Sequence, residues 1–113
     1  MNRRSYRLDL PGSSAPFVIR REQLLLLTRP YLEPRTATER SLAEIWSAAL
    51  SVDRVGVEDR YLDLGGDSLM AAIIFTQIEA KLGVSFEMSI LDSAPTIAQL
   101  ASRIDALRAH RGP

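Results

Sequence analysis

The chain has 113 residues, 46% of them apolar and 25% charged, with no cysteine, one histidine and a formal net charge of zero. That length fits one domain with its own core, and the apolar share excludes wholesale disorder. Without cysteine there is no disulfide framework, no thiolate metal site and no cysteine nucleophile.

The longest unbroken apolar stretch, residues 69–75, falls far short of the ~20 residues a membrane helix needs. Arg3 and Arg4 are not followed by an apolar run, so no secretory signal is read and a cytoplasmic location is expected. Charge is unevenly spread. Residues 1–35 hold seven arginines against Asp9, Glu22 and Glu33, whereas residues 36–113 hold seven basic residues against eleven acids. The acidic larger part argues against a nucleic-acid binder and for protein partners with basic docking surfaces.

Residues 1–35 read as an arm of uncertain structure. Residues 6–10 alternate weakly, Pro11-Gly12-Ser13-Ser14 signals a turn, and residues 17–19 fit a second short strand. Residues 21–27 contain four consecutive leucines, too short a run to tell strand from helix. Arg29-Pro30 and Glu33-Pro34 then interrupt any regular element and mark a boundary.

Three helical patterns follow. Thr36 with Glu39 has the form of a capping box, and Leu42, Ile45, Trp46, Ala49 and Leu50 form one apolar stripe behind it. Trp46 lies on that stripe and reads as a core residue. A second helix is expected from Asp67 or Ser68 to near Gly83, burying Ala71, Ile74, Phe75, Ile78 and Leu82. The last helix opens at Thr96, with Gln99 completing another capping box, and should bury Ile97, Leu100, Ala101, Ile104 and Leu107. Residues 89–92 allow one short helical turn before Ala94-Pro95. The connection over residues 51–66 carries Val52, Val55, Val57, Tyr61, Leu62 and Leu64, apolar enough to fold back over the bundle ends. The expected architecture is all-α: a small bundle of three main helices and one short helix, with a long first loop. The expected division is an arm at 1–35, the helical domain at 36–110 and a tail at 111–113.

The informative stretch is Leu64-Gly65-Gly66-Asp67-Ser68-Leu69-Met70-Ala71. Two glycines permit a sharp turn and close approach by something bulky. Ser68 then stands at a helix start, where free N–H groups and the helix dipole favour an anion such as phosphate. The plainer reading is that Asp67 or Ser68 merely caps the helix.

Competing chemistry is poorly supplied. A serine hydrolase needs a base, but His110 is the single histidine, and Met70 occupies the glycine position of a nucleophile elbow. Gly65-Gly66 is not followed by the lysine of a P-loop. Asp59, Asp63 and Asp67 are spaced by four, which does not fit a calcium loop. No catalytic residue and no metal site are assigned.

At this motif the sequence resembles the thiolation domains, or peptidyl carrier proteins, of nonribosomal peptide synthesis, within the phosphopantetheine-binding acyl carrier family. The resemblance covers about residues 33–108 and runs in order through four segments. They are Glu33-Pro34-Arg35-Thr36, Leu42-Ala43-Glu44-Ile45-Trp46, residues 55–69 including Leu64-Gly65-Gly66-Asp67-Ser68-Leu69, and Ala94-Pro95-Thr96-Ile97-Ala98-Gln99-Leu100-Ala101. It implies an acyl-carrier-like bundle in which Ser68, flanked by Gly66, Asp67 and Leu69, receives 4′-phosphopantetheine from coenzyme A. A separate phosphopantetheinyl transferase would supply metal and base, with Asp67 helping to position the metal. The absence of cysteine then makes sense, because the working thiol belongs to the cofactor and holds its cargo as a thioester. Implied partners are an adenylation (loading) enzyme and condensation, tailoring or thioesterase enzymes, served by a monomer. Alternatives are an acyl carrier for polyketide or fatty-acid enzymes and, from another class, an unmodified helical interaction module.

The first half of the second helix is apolar on every side, yet a bundle helix hides only one face. With Ala71, Ile74 and Phe75 inward, Leu69, Met70 and Ile73 fall near the surface beside Ser68, and with Leu91 they form a candidate docking patch. Residues 24–27 of the arm are the competing cover for that face. Residues 1–35 contain no lysine, unlike the segment that ends a preceding adenylation domain, so a free-standing carrier is expected.

Overall fold

In the computed structural model, residues 18–24 and 30–111 are described, with side chains through Ala109. The expectations for residues 6–14, for Leu25, Leu26 and Leu27, and for the last two residues lie outside that range. Among the described residues there are five α-helices and no strand: α1 Arg21–Leu24, α2 Ala37–Leu50, α3 Ser68–Leu82, α4 Ile90–Ser93 and α5 Ile97–Arg111. A 3₁₀ turn, Leu62–Leu64, interrupts the long connection between α2 and α3.

Both capping boxes form. The Thr36 hydroxyl accepts from the Glu39 amide at 3.0 Å, and Glu39 returns the bond to the Thr36 amide at 3.3 Å. Thr96 and Gln99 repeat the exchange at 3.3 Å in each direction. Such reciprocal bonds satisfy amides that the first turn of a helix leaves without partners. At the other end of α3, Gly83 adopts the left-handed conformation (φ 74°) and its amide caps the Glu79 carbonyl.

Helix α2 packs against both α3 and α5. Leu42 and Trp46 from α2 meet Ile74 and Ile78 from α3 and Ile97, Leu100 and Ile104 from α5, all buried. The loop residues Val52, Val55, Val57, Tyr61 and Leu64 join the same core, as their apolar character required. Across the bundle, Thr38 donates to Asp105 at 2.6 Å, fastening α2 to α5.

Four expectations need correction or trimming. Leu107 is 42% exposed rather than buried, because α5 outruns the bundle and none of its described side chains after Ile104 is buried. Leu62 is 76% exposed. A 3₁₀ turn has three residues per turn, so Tyr61 and Leu64 share the inward side and Leu62 faces away. Ala49, Leu50 and Leu82 are only half-buried, lying at helix ends where the core tapers. The strand expected at residues 17–19 reduces, among the described residues, to one isolated parallel bridge between Ile19 and Val52.

The described part of the arm is fastened to the loop. The Asp53 carboxylate accepts from the Arg21 amide at 2.7 Å, at the start of α1. The Arg21 side chain is buried and forks onto Asp59: Nε donates to one oxygen and Nη2 to the other, the latter at 2.7 Å. Arg21 also donates to the Pro30 carbonyl at 3.1 Å, and Asp59 accepts from the Gly56 amide at 2.8 Å. This pairing with Asp59 raises the guanidinium above its ordinary value. Outside the pair, the Arg54 guanidinium lies 3.9 Å from the centre of the Tyr31 ring and bonds Glu22 at 2.9 Å.

Candidate functional site

The site is built by the last eight residues of the connection and the first turn of α3. Gly65 takes a left-handed conformation (φ 86°) and its amide closes the 3₁₀ turn onto the Leu62 carbonyl at 3.1 Å. The Gly66 amide reaches the Tyr61 carbonyl at 3.2 Å. The two glycines are required for different reasons. Gly65 has open space around it but a backbone that side chains rarely adopt, whereas a Cβ on Gly66 would meet the Tyr61 ring at 2.3 Å.

The chain then extends through Asp67, whose carboxylate accepts from the Met70 amide at 2.8 Å. Asp67, not Ser68, is the N-cap. The expected capping role is therefore real, and it frees the serine: Ser68 is the first residue of α3, and it is exposed. The first-turn amides of a helix point at whatever sits in front of it, and the dipole there favours negative charge.

Beside Ser68 opens a groove of about 540 Å³, lined by Tyr61, Leu62, Asp67, Met88, Leu91 and Pro95 among others. Its walls come from the connection, the first turn of α3, the segment before α4, α4 itself and Pro95, just ahead of α5. Arg60 stands at its edge, and its backbone pairs with that of Thr96 in an antiparallel bridge. Tyr61 forms part of the floor; burial pushes its phenol above its ordinary value of 10.0, with the nearby Asp67 carboxylate second, so it stays a proton donor.

Of the residues expected to dock partners, Leu91 lines the groove with Ser68, while Leu69, Met70 and Ile73 follow the serine along the first turns of α3. Leu69 is 66% and Ile73 42% exposed, while Met70 and Leu91 are half-buried against the core. Sequence reasoning missed Met88, 46% exposed, and placed Leu62 in the core. Leu62 was legible in principle from the three-residue spacing of Tyr61 and Leu64; Met88, in an irregular segment, carried no periodic signal. Leu24, the described end of the apolar run in the arm, packs against the core.

An exposed primary hydroxyl at a helix start, a backbone stripped of Cβ atoms before it and an adjoining partly apolar groove fit a phosphodiester-linked arm. The profile of the family described as "Phosphopantetheine attachment site" matches residues 40–104. The chain belongs to this family.

This carrier is 43% identical to chondramide synthase of Chondromyces crocatus over 91 residues, which is 80% of the chain but 2% of that synthase. Among solved structures, it is similar to the peptidyl carrier protein bound with the phosphopantetheine transferase Sfp and coenzyme A. The two are 33% identical with a TM-score of 0.65, covering 67% of this chain and 99% of the other. It is also similar to an active-site mutant peptidyl carrier protein in solution, at 32% identity and a TM-score of 0.65, covering 69% and 87% of the two chains. The acyl-carrier-like bundle is thus the fold, 4′-phosphopantetheine is the covalent group of the family, and the carrier's relatives serve nonribosomal peptide synthesis. Carriers of this family hold a group rather than transform it. Among the described residues no cluster of acidic or histidine side chains is placed to hold a metal ion, and no helix is long and apolar enough to cross a membrane.

Proposed function

We propose that Ser68 carries 4′-phosphopantetheine and that the chain presents an aminoacyl or peptidyl thioester on it to the enzymes of nonribosomal peptide synthesis. The observation that carries the proposal is the division of labour at the start of α3: Asp67 takes the cap, leaving the Ser68 hydroxyl exposed beside the groove. In the modification, Ser68 Oγ forms a bond to the phosphorus next to pantetheine in coenzyme A. The pyrophosphate P–O bond breaks, adenosine 3′,5′-bisphosphate leaves, and the serine proton passes to a base on a separate transferase. Once bound, the cofactor supplies the thiol that this chain lacks.

The chain's own residues orient and display. Gly65 and Gly66 let the turn approach closely, and the first-turn amides of α3 favour the phosphodiester charge. Leu69, Met70, Ile73 and Leu91, with Leu62 and Met88, offer an apolar surface to successive partners: the transferase, an adenylation enzyme, and condensation, tailoring or thioesterase enzymes. Tethering raises the effective concentration of cargo at each of them. The chain has no catalytic activity of its own and works as a cytoplasmic monomer, with residues 36–110 as the carrier unit and residues 1–35 as an arm.

Aminoacyl transfer tests this reading. After treatment with transferase and coenzyme A, an adenylation enzyme with ATP and its amino acid should charge the chain with a thioester that hydroxylamine removes. Charging by acyl-loading enzymes alone would replace the peptidyl reading with an acyl one.

A further inference from the structure

We infer that Tyr61 is a positioning residue for the modification of Ser68, acting through a hydrogen bond to the peptide that leads into the serine. Its phenol donates to the Asp67 carbonyl at 2.7 Å, and that carbonyl shares its peptide plane with the Ser68 nitrogen. The same carbonyl accepts from the Ala71 amide at 2.9 Å, the first rung of α3. The peptide that aims Ser68 is therefore held twice, by the helix from one side and by the loop from the other.

Tyr61 is itself fixed. It is 3% exposed, its amide donates to the Pro95 carbonyl at 2.9 Å, and its carbonyl takes the Gly66 amide at 3.2 Å. Its ring meets Trp46 edge-on, with centroids 5.4 Å apart and planes at 76°. The ring also fills the space over Gly66, where a Cβ would stand 2.3 Å away. The Tyr61 side chain thus links the core tryptophan to the peptide that leads into the serine, while its backbone ties the residue to Pro95 and Gly66. A nucleophile held in one orientation avoids the entropy cost of finding it in the transition state. The phenol remains protonated through the working pH range because burial raises it, so the donor is always present.

The inference rests on Ser68 as the attachment point, and the substitution Tyr61→Phe isolates it. Phenylalanine keeps the ring, and the Asp67 carbonyl keeps the Ala71 amide as a donor, so the fold survives with a thermal transition close to wild type. In steady-state kinetics with a phosphopantetheinyl transferase, magnesium and coenzyme A, kcat for Tyr61→Phe should fall roughly fivefold, the rate equivalent of one neutral hydrogen bond. KM for the carrier should be unchanged. By amide hydrogen exchange, Met70 and Ala71, whose amides bond to Asp67, should exchange faster in the variant while Ile78 does not. Val84→Ala, a core truncation at the opposite end of α3, should lower the thermal transition and leave kcat alone. A wild-type kcat with Tyr61→Phe overturns the inference, as does a raised KM at unchanged kcat, which would make Tyr61 part of the docking surface only. Wild-type protein that gains no phosphopantetheine overturns the attachment reading itself, and this inference with it.

Discussion

The two halves of the connection between α2 and α3 treat polar and apolar groups in opposite ways. In the first half, Val55 and Val57 are buried and the charged side chain of Asp59 is enclosed by Arg21 and the Gly56 amide. In the second half, Leu62 and, just beyond it, Leu69 stand largely exposed, and hydrogen bonds run from Tyr61 to the Asp67 carbonyl, from the Gly66 amide to the Tyr61 carbonyl and from the Met70 amide to the Asp67 carboxylate. The first half is closed by the arm and contributes stability. The second is anchored from beneath by Tyr61 and Leu64, and Leu62 and, past it, Ser68 and Leu69 face outward. Under the proposed function, the apolar surface left open there is where partners dock.

The largest effect should come from breaking the closed half. Arg21→Ala leaves Asp59 buried without its partner, and the cost expected is about 3–5 kcal/mol. Urea denaturation measures it, and the protein that remains folded should still accept phosphopantetheine. The paired change Arg21→Met with Asp59→Leu should recover much of the loss. An Arg21→Ala variant as stable as wild type would mean that the arm is not fastened by this pair.

The glycine pair gives the next effect and sharpens the contrast. Gly66→Ala forces a methyl against the Tyr61 ring, an overpacking cost of about 1–3 kcal/mol, and it should also slow modification of Ser68. Gly65→Ala meets no neighbour and costs about 1–2 kcal/mol through its left-handed backbone alone. Gly65→Asn should cost less than Gly65→Ala, and equal losses would contradict the backbone argument.

Much of the frame was legible in the sequence because it is local. Both capping boxes, the limits of α3 and its buried stripe follow from residues three or four apart. The ion pair of Arg21 with Asp59 spans 38 positions and has no periodicity to betray it. The bond from Tyr61 to Asp67 spans six, and depends on how the 3₁₀ turn faces. The serine was legible as a motif; which neighbour takes the cap, and so frees its hydroxyl, was not. Leu107 was misjudged because a sequence stripe does not reveal where the partner helices end.

Acid should loosen the closed half and the start of α2 together. Glu22 is held at about 2, below its ordinary 4.5, chiefly by the hydrogen bond from Arg54, and Glu39 is lowered chiefly by that from Arg35. A carboxyl depressed in the folded state adds stability that is full above its unfolded value and is lost as pH falls through the folded one. The denaturation midpoint should therefore hold steady down to about pH 5 and decline below about pH 4.5, with Glu22→Gln flattening part of the slope. A midpoint that instead rose on acidification would contradict both pairings.

The smallest effect on stability should come from the exposed apolar side chains on the first turns of α3. Leu69→Arg and Ile73→Arg remove exposed side chains, so folding should change by no more than about 0.5 kcal/mol. Turnover by the transferase and the loading enzyme should nonetheless drop, through KM. A collapsed thermal transition for Ile73→Arg would place that residue in the core after all.

The central claim is that Ser68 is the point of attachment, and intact-protein mass spectrometry tests it most directly. Wild type and Ser68→Ala are incubated side by side with coenzyme A, magnesium and a broad-specificity phosphopantetheinyl transferase. The account predicts a gain of one phosphopantetheine unit by wild type and none by Ser68→Ala. A folded wild type that gains nothing from several transferases, or an equal gain by both proteins, would contradict it.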